Sequence, residues 1–150
     1  MRDRRINMAF LYEKDLKETF WKSYNGKGRA KRYQFECPIR EGNADLVTVE
    51  YHEPSDSYQF NAFEFKREDL KKAFLQAEAN LKYVNKSWIV IPIEKEKAIQ
   101  DRYLNYLKEK KYIGVIGVKE GGYYKILYQP WFQKEPIQSQ AMIKVCMLKI

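Results

Sequence analysis

At 150 residues the chain is long enough for one globular domain with a true core and too short for two domains with separate cores. A hydrophobic content of 45% with 15% aromatic residues excludes a disordered chain, and neither a low-complexity linker nor an internal repeat is visible. Lysine and arginine outnumber aspartate and glutamate by 28 to 20, a formal charge of +8, which suits a polyanionic partner without by itself requiring one.

The longest apolar run, Trp88 to Ile91 with Ile93 after the proline, is far shorter than a bilayer span. The basic start Met1-Arg2-Asp3-Arg4-Arg5 leads into no signal-peptide apolar stretch. The expectation is a cytoplasmic protein without membrane association. Cys37 and Cys146 make neither metal-ligand spacing nor a disulfide framework. Both are expected to be buried reduced thiols.

In chain order, Leu16, Phe20 and Tyr24 recur on one helical face and predict a first helix over residues 10–24. The glycines in Asn25-Gly26-Lys27-Gly28 end it. Over residues 33–40, Phe35, Cys37 and Ile39 alternate with Gln34, Glu36 and Arg40, the period of a half-buried strand with its polar residues outward. A turn at Glu41-Gly42-Asn43 leads to a Val- and Thr-rich strand over 44–51, and a polar turn around Pro54 leads to a third strand over 58–66. The three form an antiparallel meander.

Leu70, Phe74, Ala77, Leu81 and Val84 then make one stripe of an amphipathic helix beginning near Glu68 or Asp69. Residues 87–93 read as a central strand covered on both faces. A helix over 95–110 turns Ile99, Tyr103, Tyr106 and Leu107 inward, and a hairpin with a Gly121-Gly122 turn joins strands over 113–118 and 123–128. Residues 142–150 fit a strand or a short helix equally well. The sum is an α/β domain, a mixed central sheet flanked by helices in the order α-β-β-β-α-β-α-β-β, with a core over about residues 10–130 and a C-terminal extension over 131–150.

The chemistry concentrates in Asn61-Ala62-Phe63-Glu64-Phe65-Lys66. On a strand, Phe63 and Phe65 face one way and Glu64 and Lys66 the other, about 7 Å apart along the strand. A structural ion pair on a sheet face would look the same locally. Asp45, near the start of the preceding strand, changes the reading. If it shares a face with Glu64, two carboxylates converge beside one ammonium, an arrangement that a hard divalent cation relieves while leaving positions for a phosphate oxygen. Phosphodiester hydrolysis uses these parts: carboxylates to hold a metal, and a lysine to orient water and offset developing charge.

With Ala44-Asp45 in place of the Pro-Asp step and Glu64-Phe65-Lys66 as the (D/E)xK element, the chain resembles the PD-(D/E)xK, or restriction-endonuclease-like, nucleases, over roughly residues 10–130. Ala44 departs from the family's proline. The resemblance implies a restriction-endonuclease-like core and a Mg²⁺- or Mn²⁺-dependent deoxyribonuclease with Asp45, Glu64 and Lys66 as catalytic residues. Members similar to Holliday-junction resolvases add a glutamate from the first helix. Glu13, on the face of Leu16 and Phe20, matches it, although a first-turn acid also suits a helix dipole. Some relatives carry a glutamine on the second helix, which points to Gln76, otherwise an ordinary helix-surface residue. The implied metal ligands are Asp45, Glu64 and Glu13.

Lys27, Arg29, Lys31 and Arg32, placed between the first helix and the first strand, are candidate contacts to a DNA backbone or else a solvated basic loop. His52, the single histidine, stands beside a turn without a ligand partner and takes no role. The expected partner is DNA, compatible with a homodimer or a larger nucleoprotein assembly. The competing reading is a nucleic-acid-binding or assembly module that keeps the fold without turnover.

Overall fold

The computed structural model describes residues 10–134. The expectations for residues 142–150 and for Cys146 lie outside them. Helix α1 (Glu13–Tyr24) leads to strands β1 (Ala30–Cys37), β2 (Ala44–His52) and β3 (Ser57–Phe65). Helix α2 (Leu70–Asn80), strand β4 (Lys86–Pro92), helices α3 (Glu96–Arg102) and α4 (Leu104–Lys110), and the hairpin of β5 (Ile113–Val118) and β6 (Tyr124–Tyr128) follow. The strands form one mixed sheet in chain order, β1 to β6. The pairs β1–β2, β2–β3 and β5–β6 are antiparallel, while β3–β4 and β4–β5 are parallel. The helices flank this sheet, as an α/β reading requires, and no helix among the described residues is long and apolar enough to cross a membrane.

Each face has its own core. Leu16, Phe20 and Tyr24 of α1 pack on Leu46, Phe63, Phe65, Trp88, Val90, Ile116 and Val118. On the other face, Leu70, Ala73, Phe74 and Ala77 of α2 join Ile99 and Leu107 against Ile89, Ile91, Ile113 and Val115. Strand β4 therefore sends Trp88 and Val90 to one side and Ile89 and Ile91 to the other. This explains its unbroken apolar run, since a parallel strand covered on both faces has no polar side. Helix α2 starts at Asp69, whose side chain accepts from the Lys72 N–H at 3.1 Å, the satisfaction that an N-cap supplies. Gly121 and Gly122 take φ of 102° and 105° in the β5–β6 turn, where a side chain would be strained.

Three expectations are corrected. The first strand begins at Ala30, so Lys31 and Arg32 belong to β1 rather than to a loop. Phe35 and Cys37 do not share a face: Phe35 packs on the α1 side, and Cys37 and Ile39 pack with Val47, Val49 and Ala62 in a third cluster. Between them Glu36 has φ 49°, a left-handed backbone that breaks strict alternation. The helix expected over 95–110 is interrupted at Tyr103 (φ −122°, ψ −1°) and begins with a 3-10 turn at Ile93–Lys95. Ile99 and Leu107 nonetheless stay buried, with Tyr103 and Tyr106 packed against them.

Phe20 is fully buried, with ring centroids at 4.8 Å from Tyr24, 5.6 Å from Phe63 and 5.7 Å from Phe65. Replacing it with alanine opens a cavity that these rigid rings cannot close. Phe20→Ala is expected to lower stability by about 3–5 kcal/mol in urea unfolding. A decrease under about 1 kcal/mol would mean that α1 is not seated on the sheet by this ring.

Candidate active site

The β2–β3 ladder runs from His52↔Ser57 to Leu46↔Phe63. Just past its last pair, two backbone donors would be left without a strand partner, and side-chain carboxylates take them. The Phe65 N–H donates to Asp45 Oδ2 at 2.9 Å, and the Asp45 N–H faces Glu64 Oε2 at 3.4 Å. Asp45 and Glu64 are thus brought together where the strands part, each answering the other's strand.

Their surroundings differ. Asp45 is half-buried and lines an open cleft of about 210 Å³ with Glu13, Lys14, Lys17, Glu36 and Phe65. Glu64 is wholly shielded from solvent. Its Oε2 accepts from Arg40 Nη2 at 3.0 Å and from Asn80 Nδ2 at 2.9 Å. Arg40 Nε in turn donates to Asn80 Oδ1 at 2.6 Å. Burial, and secondarily the charge of Asp45, push the Glu64 carboxyl up to about 7, against the pull of Asn80 and Arg40. Its other oxygen, Oε1, is buried with no hydrogen-bond partner.

Lys66 lies one residue beyond the end of β3, where alternation no longer dictates direction. Its ammonium reaches Glu13 Oε2 of α1 at 3.9 Å rather than Glu64, while its N–H continues the sheet to Val90 O at 3.1 Å. The side-by-side Glu64–Lys66 pair expected from strand spacing is replaced by two pairs, Glu64 with Arg40 and Lys66 with Glu13. Glu13, in the first turn of α1, does turn toward the sheet and shares the cleft with Asp45. Gln76 sits one turn before Asn80 on α2, with its Oε1 shielded and unpartnered.

Among the described residues no group of three or more His, Cys, Asp or Glu side chains is placed to hold a metal ion. Asp45 and Glu64 are adjacent through the Asp45 N–H, and Glu64 keeps one carboxylate oxygen without a hydrogen-bond partner; carboxylate oxygens are the donor chemistry that a hard divalent ion takes. Arg40 and Asn80 were not anticipated. Asn80 left a signal: it lies three residues after Ala77 and seven after Ala73, on the buried stripe of α2, where a polar side chain must find a partner. Arg40 left none, because it comes from the turn after β1 and meets Glu64 only through the tertiary fold.

The basic cluster divides. Lys27, Lys31 and Arg32 are exposed. Arg29 lies over the Tyr24 ring at 4.5 Å, and Tyr24 donates its hydroxyl to both oxygens of the buried Glu50, at 2.9 and 2.7 Å. Thr48 Oγ1 donates to the same carboxylate at 2.6 Å. Arg29 is also exposed, but its guanidinium rests on a ring of the Tyr24–Glu50 network. No protein-family model, curated protein or solved structure matches the chain.

Glu64 sets a pH dependence with a definite sign. A carboxyl whose folded value is raised from 4.5 to about 7 binds its proton more tightly in the folded state. Its contribution is fully present below the lower value and is lost as pH rises through the higher one. Glu64→Gln removes this titration, so the stability of wild type relative to Glu64→Gln should fall as pH rises from about 4.5 to 7 and then level off. Urea unfolding across that range reads it, and a flat or rising difference contradicts the assignment.

Proposed function

We propose that the chain is a metal-dependent nuclease of the restriction-endonuclease-like class that hydrolyses DNA phosphodiester bonds. The observation that carries this reading is the meeting of Asp45 and Glu64 at the end of the β2–β3 ladder, with one Glu64 oxygen buried and unpartnered. In this reading Asp45 and Glu64 hold Mg²⁺ or Mn²⁺. Such a cation supplies, when bound, polarisation of the phosphate and a more acidic water. Lys66 directs its ammonium to the attacking water and to the charge that builds on the phosphate. Glu13 fixes that ammonium from α1. Lys14 and Lys17, on the wall of the same cleft, attract the phosphate backbone. Arg40 and Asn80 hold Glu64 Oε2 and leave Oε1 as its free acceptor.

A second reading has its own observation. Arg40 already neutralises Glu64 within a shielded site, as suits a nucleic-acid-binding or assembly module that keeps the fold without turnover. Cleavage of plasmid and oligonucleotide DNA with Mg²⁺, with Mn²⁺ and with chelator separates the two. The nuclease reading expects metal-dependent cleavage that Asp45→Asn and Glu64→Ala abolish and that Lys66→Ala lowers by about 100-fold or more with little change in DNA affinity. Binding without cleavage under every metal condition selects the second reading.

Binding itself should weaken steeply with salt through counterion release. Joint replacement of Lys27, Lys31 and Arg32 by alanine should reduce the slope of log affinity against log salt by about 0.9 for each phosphate that is no longer neutralised. An unchanged slope would make these residues solvated surface only.

A further inference from the structure

The far end of the β2–β3 hairpin carries a feature that the proposed chemistry does not use. His52 stacks on Phe132, with ring centroids at 3.8 Å and planes at 7°. The pair borders an open cleft of about 600 Å³ lined also by Pro54, Ser55, Tyr58 and Lys134, a volume within the range of small-ligand sites.

The platform is fixed from both sides. His52 Nδ1 is 2.8 Å from Ser55 Oγ. Phe132 is pinned by its neighbours: Trp131 N–H donates to Lys111 O at 2.8 Å, and Gln133 N–H to Asn85 O at 2.9 Å. Gln133 Nε2 donates to Leu81 O and Val84 O at 2.9 and 3.0 Å, and Asn85 Nδ2 to Gln133 O at 2.7 Å. These bonds hold a ring pair that the core does not require. Tyr58 on the cleft wall is 58% exposed and Tyr51, its neighbour across the strands at 6.5 Å, 48% exposed. Ordered aromatic faces left open to water serve a planar ligand.

Charge narrows the choice. Lys134 is exposed on the rim. Asp56, which follows the 3-10 turn, is occupied by the Tyr51 hydroxyl at 2.8 Å. A planar group joined to an anion matches stacked rings beside this lysine.

We propose that this cleft is a binding site for an unpaired nucleobase with its 5′-phosphate, the base stacking on the His52–Phe132 platform or Tyr58 and the phosphate meeting Lys134. The proposal deepens the nuclease reading and rests on it for its role. Seven residue steps of β2 separate His52 from Asp45, about 23 Å at strand rise. A base held here therefore belongs to nucleic acid well away from the bond to be cut, as in recognition of a single-stranded or flapped substrate.

As the single histidine of the sequence, His52 gives two isolated ring-proton resonances that report the platform directly. Titration of the whole chain with deoxyadenosine 5′-monophosphate in chelator, followed by proton NMR, is expected to shift these resonances saturably. Deoxyribose 5-phosphate should bind more weakly by about 5- to 150-fold, the worth of one base–aromatic stack. Tyr58→Leu, at an exposed site, and Phe132→Leu, checked for fold by circular dichroism, should each weaken the nucleotide without changing the sugar phosphate. No saturable shift, equal binding of the two ligands, or indifference to both Tyr58→Leu and Phe132→Leu overturns the proposal. Chelator removes cleavage from the experiment, so nucleotide binding without any metal-dependent nuclease activity overturns only the catalytic reading, and cleavage without nucleotide binding overturns only this one.

Discussion

A carboxylate withdrawn from water must be answered by donors, and answering Glu64 ties together parts of the chain that no local rule connects. The turn after β1 supplies Arg40, the end of α2 supplies Asn80, and β2 turns its Asp45 N–H to the same oxygen. Breaking a buried ion pair by removing one partner typically costs about 3–5 kcal/mol, because the remaining charge is stranded. The sheet end, the second helix and the first turn are therefore held in one arrangement by a group that contributes little to stability on its own. Such an expense is common where structure is set aside for function rather than for folding.

Much of the architecture was readable because it follows from periodicity. The stripe Leu16-Phe20-Tyr24 is buried in α1 and Leu70-Phe74-Ala77 in α2, although that helix ends at Asn80, short of the expected Leu81 and Val84, and the apolar run of β4 is buried on both faces. What escaped are features set by backbone conformation or by distant partners. Glu36 adopts a left-handed φ, which no preference of glutamate announces, and this moves Cys37 to the opposite core from Phe35. Tyr103 interrupts a helix whose inward pattern continues across the break. At the candidate site, the proximity of Asp45 to Glu64 was legible from strand pairing. The division of charges into Arg40–Glu64 and Glu13–Lys66 was not, because Lys66 stands beyond the strand and Arg40 comes from a turn.

The polar groups of the sheet fall into two regions with different characters. Asp45 meets an open cleft, and beside it the shielded Glu64 has one carboxylate oxygen left over. Around Glu50 the carboxylate is saturated by Tyr24 and Thr48, and burial together with that carboxylate holds the Tyr24 hydroxyl well above the usual phenol range. A saturated network rigidifies, whereas an incomplete one is available for chemistry. In the proposed function this contrast is the reason Asp45 and Glu64, rather than Glu50, are taken as the metal-holding acids.

The strand order leaves β1 and β6 at the two margins of the sheet among the described residues. An edge strand presents unpaired N–H and C=O groups to which another chain can add, and lysines are a common deterrent because pairing would bury their charge. Lys31 and Arg32 on β1 stand at one margin, while Lys125 on β6 is paired with Glu96 at 3.2 Å. Such charges oppose edge-to-edge pairing between copies of a chain. The same side chains would lose that protective effect where a bound anion neutralises them, so crowding of the protein along a nucleic acid would bring the margins of neighbouring sheets within reach of one another.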